Sequence, residues 1–420
     1  MRDIRPSDAS SRPPPYLPSP KPSPPLPTLF LAQRFPPHRG AAARRWGWLA
    51  ERFGAAGPVF VIRRGEEGEE HPAVQRTIHL PARDLRTAVG GGASVSVKKK
   101  QHSLVRTLLK MRQAYPFVYL TDDGGPDYRR RAFRLAERLV REEGVTTVVS
   151  SFRPWSDHLV AARLKRKYPG LEWLADFRDL PVDPIRQDVW FPGLQRWWGK
   201  RVVEGADAVY AVSEGQARQL SSWHSRVEVL RNPLLALPPP ANHPSTGHFT
   251  IVYTGSLYPG LQSVAPLVKA LSTLLRGGRV STTKLRFCYR GKDADLFREW
   301  TAELPGEVLD VGPYIAPAAA QEKQREAQLL LLLNWSAPGY YGVLTAKLWD
   351  YLATGRPVLA LVNGPDDPEL RSIIEGARAG AMFADNQQGL VGWLAEAYER
   401  WEEDGTLPWA VDREVLGRYL

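Results

Sequence analysis

The sequence predicts two doubly wound α/β domains of similar size that are joined near residue 240. From Thr28 onwards, short apolar runs alternate with longer amphipathic stretches, which is typical of a mostly parallel sheet covered by helices. A Pro-rich, polar segment over residues 232–248 interrupts this alternation, which restarts at residue 249. The restart indicates a second domain of the same class.

Each half of the chain contains six candidate strands with helical patterns between them. In the first half these are residues 28–33, 58–63, 117–122, 146–151, 171–176 and 207–213. In the second half they are residues 249–256, 284–291, 307–312, 328–334, 357–362 and 379–383. Helical patterns over 389–403 and 411–420 end the chain, and we expect them to pack back on the domains.

Composition limits the classes of protein to which the chain can belong. Hydrophobic residues make up 43% of it, which is ample for a sizeable core. Its single cysteine, Cys288, excludes a disulfide scaffold, and the apolar run over 329–333 is too short to span a bilayer. The N-terminus lacks the apolar core of a signal peptide, so we expect a cytoplasmic protein. Residues 1–27 are dense in Pro and Ser and predict a disordered tail.

The stretch KLWDYLATGRPVLA, residues 347–360, contains a helix and a strand and follows a strand and a glycine-containing loop. In an open α/β sheet, ligands bind beyond the carboxyl ends of the strands, where a helix N-terminus favours phosphate. Lys347 adds a positive charge for a phosphate, and Asp350 can accept two hydrogen bonds from a ribose diol. A plain surface helix with a solvated Lys–Asp pair is the alternative, but the loop and the strand context favour a nucleotide diphosphate.

The segment GVLTAKLWDYLATGRPVLA resembles the donor-binding segment of glycosyltransferases with the GT-B fold, close to glycosyltransferase family 4, the group 1 glycosyltransferases. Other segments resemble this family in the same order, namely FLAQRFPPHRGAAAR (30–44), the segment from SSFRPWSDH to DFRD (150–179), DAVYAVSEGQARQL, VLRNP and YTGSLYPG (253–260). The resemblance covers most of residues 28–400. It implies two Rossmann-like domains that face each other across a cleft.

The resemblance also implies a role for each part of the chain. Residues 28–233 would form an acceptor-binding domain, 234–248 a linker, 249–388 a nucleotide-sugar-binding domain, and 389–420 the C-terminal helices. The implied enzyme is a hexosyltransferase that uses a nucleotide-diphosphate sugar as donor substrate and holds no permanent cofactor. Its acceptor would be a hydroxyl of a polysaccharide, a lipid-linked oligosaccharide or a similar molecule, and the family favours retention.

Donor-binding roles follow from the resemblance for residues of the C-terminal domain. These residues are Gly255, Ser256, Leu257, Arg290, Gly291, Tyr314, Tyr341, Gly342, Lys347 and Asp350. Segments 255–257 and 342–347 would contact the pyrophosphate and the sugar, Tyr314 would stack on the base, and Asp350 would hold the ribose. Lys347 would also act in catalysis by stabilising the leaving diphosphate.

On the acceptor side, the resemblance implies roles for His158 and Asp179. His158 would hydrogen-bond a sugar hydroxyl, or act as a base if the enzyme inverts, with a structural helix histidine as the alternative. Asp179 would contact the ligand, or bond Arg178 and cap a loop. The D-x-D match at 293–295 follows a strand and precedes a helical pattern, where acidic residues suit the helix dipole, so we expect no metal site.

The sequence departs from the family pattern at the donor site. Gly342 stands where the family often carries a glutamate, and the ribose carboxylate is Asp350 rather than Glu. The loop over 253–263 lacks the Arg and Lys that the family often places on the pyrophosphate, although Lys347 and Arg290 would compensate. A catalytically silent GT-B subunit that supports a partner is therefore one alternative, and a nucleotide-sugar epimerase is another.

The net charge of +11 suits a polyanion, an anionic membrane surface or a phosphate-bearing ligand. Residues 98–112 and 129–141 are basic and amphipathic, and residues 189–201 mix Trp with cations. For the first and third stretches we expect peripheral contact with the inner face of a membrane, where a lipid-linked acceptor is found, and for the second a solvated helix face. We recognise no nucleic-acid-binding module and expect no nucleic acid partner.

Overall fold

A computed structural model describes residues 26–38, 40–65, 68–81, 111, 114–121, 124–186, 189–239, 247–405, 407 and 409–420. The strands of these residues form two fully parallel sheets, one of seven strands and one of six. We call the seven-stranded sheet with its helices the N-domain and the six-stranded sheet with its helices the C-domain. The predicted fold class, two doubly wound α/β domains, is confirmed.

The N-domain begins at β1 and ends at β7. Its elements are β1 (Thr28–Leu31), α1 (Ala41–Gly54), β2 (Val59–Arg64), β3 (Arg76–Leu80), α2 (Val118–Thr121), α3 (Gly125–Glu142), β4 (Thr147–Phe152), α4 (Trp155–Lys167), β5 (Glu172–Phe177), α5 (Pro192–Val203), β6 (Ala208–Ala211), α6 (Glu214–Leu220) and β7 (Val227–Val229). The strand order is β3-β2-β1-β4-β5-β6-β7. The order reverses direction at β1, which places a crevice at the carboxyl end of that strand.

The C-domain repeats this plan. Its elements are β8 (Phe249–Thr254), α7 (Ala265–Arg276), β9 (Leu285–Arg290), α8 (Ala294–Trp300), a 3-10 turn (Gly306–Val308), β10 (Leu309–Gly312), α9 (Pro317–Arg325), β11 (Leu329–Trp335), α10 (Ala346–Leu352), β12 (Val358–Asn363), α11 (Pro368–Gly376), β13 (Gly380–Phe383), α12 (Gln387–Asp404) and α13 (Arg413–Gly417). The strand order is β10-β9-β8-β11-β12-β13. The switch point of this sheet lies at β8 and β11.

Strand β11 shows why an unbroken apolar run forms a central strand here. All seven of its residues are buried, because helices cover both faces of the sheet. Leu329, Leu331 and Leu333 belong to one core cluster, whereas Leu330 and Leu332 belong to another on the opposite face. Burying each leucine side chain contributes about 2 kcal/mol, so this strand alone is a large part of the C-domain core.

One predicted strand is wrong and two strands were not predicted. Residues 117–122 were expected to be a strand, but Val118–Thr121 form the short helix α2, with Val118 buried and Leu120 exposed. A short aromatic run fits either state, and here packing against the N-domain core decides it. Strands β3 and β7 lie at the two edges of the sheet and have few fully buried residues, so their sequences lack a strong apolar signal.

The last two helices pack on the C-domain. Tyr398 and Trp401 of α12 contact Phe249, with ring centroids 5.5 and 5.6 Å away. Beyond α13, the Tyr419 carbonyl accepts a hydrogen bond of 2.7 Å from the Leu234 backbone N–H. Of the helices in the described ranges, none combines the length and the apolar character needed to cross a membrane. Residues 1–25, the 90–94 glycine run and all of 98–112 except Met111 lie outside the described residues.

Candidate functional site

Two glycine loops meet at the carboxyl ends of β8 and β9. Gly255 has a φ of +117°, which favours glycine, and its backbone N–H donates to the Arg290 carbonyl at 2.8 Å. A Cβ atom at Gly291 would lie 2.2 Å from the Gly255 carbonyl oxygen and 2.2 Å from the Tyr289 hydroxyl. The close approach of the two backbones therefore requires glycine at position 291.

Lys347 lies at the second position of α10 and extends toward this loop. Its Nζ donates to the Tyr253 hydroxyl at 2.6 Å and lies 3.5 Å from the Ser256 carbonyl oxygen. Burial lowers the pKa of Lys347 to about 8, although the nearby Asp293 carboxylate acts in the opposite direction. Within the described residues it forms no ion pair with a carboxylate. The site thus holds a partly desolvated cation beside the 255–256 loop, and this cation can bind an anion.

Asp350, on the next turn of α10, forms an ion pair with a residue of the N-domain. Both of its carboxylate oxygens bond the guanidinium of Arg44 in α1, with 3.1 Å from Nη2 to Oδ2 and a shorter contact from Nη1 to Oδ1. The hydrogen bond with Asp350 raises the pKa of Arg44. A cavity of about 230 Å³ adjoins this pair. It is lined by α1, α9, α10 and residues 232–236.

Arg45, the neighbour of Arg44 in α1, has a buried side chain with several hydrogen bonds. The Arg45 guanidinium donates to Asp176 at 2.6 and 3.2 Å, and both side chains are almost fully buried. It also donates to the carbonyls of Leu230 and Arg231 at 2.9 and 3.1 Å. These bonds fasten α1 to the carboxyl end of β5, so the first aspartate of the DFRD segment has a structural role that sequence reasoning missed.

Other predicted donor-binding groups have intramolecular partners. Arg290 forms a bidentate pair with Asp310, both contacts at 2.8 Å, and donates to the Asp310 carbonyl as well. The Leu257 backbone N–H donates to Asp293 at 2.9 Å and its side chain is buried. Tyr314 is 58% exposed, with the Lys292 ammonium 5.8 Å from its ring, which leaves its ring surface accessible for stacking.

The loop carrying Tyr341 and Gly342 is enclosed rather than open. The Gly342 backbone N–H donates to Asp367 at 2.8 Å, and its φ is +74°. A Cβ atom at Gly342 would lie 2.5 Å from the Glu369 carboxylate and 2.9 Å from the Ser213 hydroxyl. The guanidinium of Arg218, in the N-domain, lies 5.1 Å from the centroid of the Tyr341 ring. The glutamate that the family often carries here has no room in this chain.

Glu369 joins the two domains and was not predicted. Its carboxylate accepts from the backbone N–H groups of Glu214 and Gly215, at 3.0 and 3.2 Å, in the first turn of α6. Arg231 donates to the same carboxylate at 2.7 Å. A Cβ atom at Gly215 would lie 1.9 Å from the Tyr341 carbonyl oxygen, so the domains touch there. The sequence around Glu369 reads as an ordinary helix start, with Asp367 as N-cap.

His158 is placed in the N-domain core. It is fully buried among Trp155, Trp173 and Phe177, and its Nδ1 lies 2.7 Å from the Ser150 hydroxyl. Burial lowers the pKa of His158 to about 3, so the ring is neutral at physiological pH. No face of the ring is open to the cleft, and these contacts support the structural alternative for His158.

Asp179 and Arg178 lie after β5 and are partly buried. Arg178 donates to the Ser151 hydroxyl and to the Arg153 carbonyl, at 3.2 and 3.3 Å. Burial lowers the pKa of Arg178, against the effect of the Asp179 and Asp176 carboxylates. Asp179 thus lies near Arg178 at the carboxyl edge of the N-domain sheet. Across the described ranges, no three His, Cys, Asp or Glu side chains come together in a way that could hold a metal ion.

Comparison with solved structures identifies the fold. The chain resembles sucrose-phosphate synthase from Thermosynechococcus elongatus, with 14% identity, 94% of each chain covered and a TM-score of 0.58. It also resembles TarM, with 8% identity, 94% of each chain and a TM-score of 0.53. The chain has the GT-B fold.

A third structure of this fold carries a ligand. It is a trehalose-6-phosphate protein from E. coli bound with UDP-2-fluoro glucose, with 11% identity, 94% of each chain covered and a TM-score of 0.52. No protein-family model matches the sequence, and no curated protein matches it by sequence. In this GT-B chain, Lys347 lies at the carboxyl edge of the C-domain sheet and Asp179 at the carboxyl edge of the N-domain sheet.

Proposed function

We propose that this GT-B protein is a glycosyltransferase that moves a hexosyl unit from a nucleotide-diphosphate sugar to a hydroxyl group. The observation that carries the proposal is the position of Lys347, a partly buried cation beside the tightly packed Gly255 and Gly291 loops. A cation in such a setting binds a diphosphate more strongly than one in water does. A solved structure of the same fold is bound with UDP-2-fluoro glucose, a donor of this class.

The proposed reaction breaks the bond between the anomeric carbon of the donor sugar and the diphosphate oxygen. The acceptor hydroxyl forms the new bond on the same face, with retention, and its proton moves to the leaving diphosphate. In this proposal Lys347, whose Nζ lies 3.5 Å from the Ser256 carbonyl oxygen, would stabilise the negative charge that develops on that leaving group. Since His158 is buried and neutral, the proposal assigns it no proton transfer.

The acceptor belongs to the N-domain in this proposal, with Asp179 at the acceptor side. A polysaccharide, a lipid-linked oligosaccharide or a similar molecule provides the hydroxyl. A lipid-linked acceptor would bring the protein into peripheral contact with the inner face of a membrane. On the donor side, Asp350 would hold the ribose after Arg44 releases it, because both oxygens of the carboxylate now bond Arg44.

A catalytically silent GT-B subunit is the second candidate. Three groups assigned to the donor have intramolecular partners: Arg290 pairs with Asp310, Asp350 with Arg44, and the Gly342 N–H with Asp367. If these bonds persist when a nucleotide is added, few of the groups assigned to the donor remain to bind it. No observation favours the epimerase alternative, which needs acid/base carboxylates. The two buried carboxylates nearest Gly342 belong to Asp367 and Glu369, and both accept hydrogen bonds from backbone N–H groups.

Calorimetric titration of the full chain with UDP, GDP and ADP tests the proposal. We expect one nucleotide to bind, and Lys347→Met to weaken its binding by about 10- to 100-fold, since hydrogen bonds to charged groups contribute about 1.5–3 kcal/mol. Lys269→Met is the matched control, because Lys269 is exposed on α7. Binding of none of the three nucleotides would overturn the donor site and favour the silent subunit.

A further inference from the structure

Helices α2 and α5 of the N-domain expose an unusual number of large apolar side chains. The described residues include ten exposed large hydrophobic side chains, and five of them lie here. They are Tyr119, Leu120, Phe191, Leu194 and Trp197. Isolated exposed side chains of this kind are normal, but a concentration of them marks an interaction surface.

Packing between the two helices brings these side chains together. The Tyr115 ring lies 6.1 Å from the Trp197 ring and 5.6 Å from the Trp198 ring. The Trp198 indole N–H donates to the Tyr119 hydroxyl at 2.9 Å, and the Tyr115 backbone N–H donates to Gln195 at 2.8 Å. Tyr115, which also lies 5.9 Å from the Tyr119 ring, therefore links the exposed Tyr119 of α2 with the exposed Trp197 of α5.

Helix α5 exposes apolar side chains on its outer face, unlike a helix whose outer face contacts only water. Its buried residues include the polar Gln195 beside Trp198 and Gly199, whereas Leu194 and Trp197 point outward. Trp197 is 50% exposed, and the guanidinium of Arg201 lies 5.1 Å from its ring centroid. Leu194, Trp197 and Arg201 are spaced i, i+3 and i+7, so they form one stripe along the helix.

Phe191, at the N-cap of α5, combines a strained backbone with an exposed aromatic ring. Its φ of 50° and ψ of 62° place it in the left-handed region, which is costly for a bulky residue. Its ring is also 56% exposed, so burial within the chain does not offset the strain. A strained backbone that presents an aromatic ring to the outside points to a partner that covers the ring.

Cations line the same surface. Arg196, Lys200 and Arg201 are exposed, and none of the three forms an ion pair with a residue that the structure describes. Helix α5 itself contains no acidic residue, and Glu204 follows it directly. Aromatic and aliphatic side chains beside unpaired Lys and Arg are the composition of a helix that lies in a membrane interface.

We propose that this aromatic–basic surface, residues 119–120 together with 191–201, docks the protein on an anionic lipid bilayer. Phe191, Leu194 and Trp197 would enter the headgroup region, while Arg196 and Lys200 would contact lipid phosphates. The inference specifies the surface and the lipid class for the membrane contact in the proposed function. It stands on these contacts alone and does not require that the chain transfers a sugar.

Sedimentation of the full chain with vesicles tests the inference. We expect binding to vesicles of 30 mol% phosphatidylglycerol in phosphatidylcholine and little binding to pure phosphatidylcholine. The triple variant Arg196→Glu, Lys200→Glu, Arg201→Glu should lower the partition coefficient by about 100-fold or more, because each cation near an anionic surface contributes roughly five- to tenfold. Leu194→Ser with Trp197→Ser should also reduce binding, through loss of buried apolar area.

The charge-matched control is Arg166→Glu, Lys269→Glu, Arg276→Glu, three exposed cations on α4 and α7. We expect its partition coefficient to stay within about threefold of wild type. Thermal melting and nucleotide titration of every variant separate a docking defect from a folding defect or a failed donor site. Absence of binding to the anionic vesicles, or equal losses in the surface and control variants, would overturn the inference, and an acidic protein partner would then be considered.

Discussion

Lys347 is a cation whose immediate partners are uncharged. The Tyr253 hydroxyl and the Ser256 carbonyl accept from it, and burial makes its charged form less stable than in water. A bound diphosphate would supply the negative charge that these neutral partners lack. The strength of nucleotide binding should therefore follow the protonation state of this one side chain.

Nucleotide binding is expected to weaken as the pH rises through about 8, the pKa of Lys347. Below that pH the amine is protonated and attracts phosphate, and above it each pH unit lowers affinity by up to about tenfold. Calorimetry between pH 6.5 and 9.5 measures this. Lys347→Arg keeps its charge over the range and should give a flat profile, whereas equal profiles for both proteins would contradict the role of Lys347.

His158→Ala is expected to act on stability. The substitution removes a buried ring and the hydrogen-bond partner that lies 2.7 Å from the Ser150 hydroxyl, which together cost about 2–4 kcal/mol. Urea unfolding measures the loss. Full stability with abolished sugar transfer would instead place His158 in the chemistry.

Strands with a strongly apolar sequence were predictable, and the weakly buried edge strands were not. All six C-domain strands and five N-domain strands lie within a few residues of their predicted positions, because central parallel strands are apolar on both faces. Edge strand β3 has only one fully buried residue among five, so its alternation is too weak to recognise.

The candidate site was predictable only where the sequence order itself brings groups together. Lys347 and Gly255 follow strands that neighbour each other in the sheet, so topology alone places them at one edge. The pairing of Arg44 with Asp350 spans 306 positions, and that of Glu369 with Gly215 spans 154. A single sequence carries no local signal for such contacts, because each residue is ordinary in its own helix.

The contact between the loops after β8 and β9 should tolerate no side chain. Gly291→Ala is expected to separate the loops, lower the unfolding free energy by about 1–3 kcal/mol and weaken nucleotide binding, because its Cβ would lie 2.2 Å from the Gly255 carbonyl. Gly306→Ala is the control, since a Cβ there meets nothing within 4 Å. Thermal melting and calorimetry measure both effects, and equal behaviour of the two variants would contradict the prediction.

At the scale of the whole molecule, Arg44 of the N-domain pairs with Asp350, and in the proposed function it would compete with the ribose for that carboxylate. Arg44→Ala is expected to free the carboxylate and raise nucleotide affinity by up to about fivefold, since a partly exposed ion pair contributes about 1 kcal/mol or less. Titration of Arg44→Ala, with and without Asp350→Asn, measures this. The gain should vanish in the double variant, and a gain that persists there would show that Arg44 acts elsewhere.

The two domains should separate when Gly215 gains a side chain. The Cβ of Gly215→Ala would lie 1.9 Å from the Tyr341 carbonyl, so we expect a larger radius of gyration in small-angle X-ray scattering and faster proteolysis between the domains. Gly205→Ala, whose Cβ meets nothing within 4 Å, should behave as wild type. An unchanged radius for Gly215→Ala would mean that the domains are already apart in solution.

The position of Glu369 has a consequence for building chimeras. The first turn of α6 belongs to the N-domain, yet its Glu214 and Gly215 N–H groups are bonded by a carboxylate of the C-domain. A hybrid protein that joins this N-domain to another C-domain within residues 234–248 would place a different residue, at the position of Glu369, against α6. A hybrid that keeps this contact would require transplanting residues 213–215 along with the C-domain, whatever the length of the join.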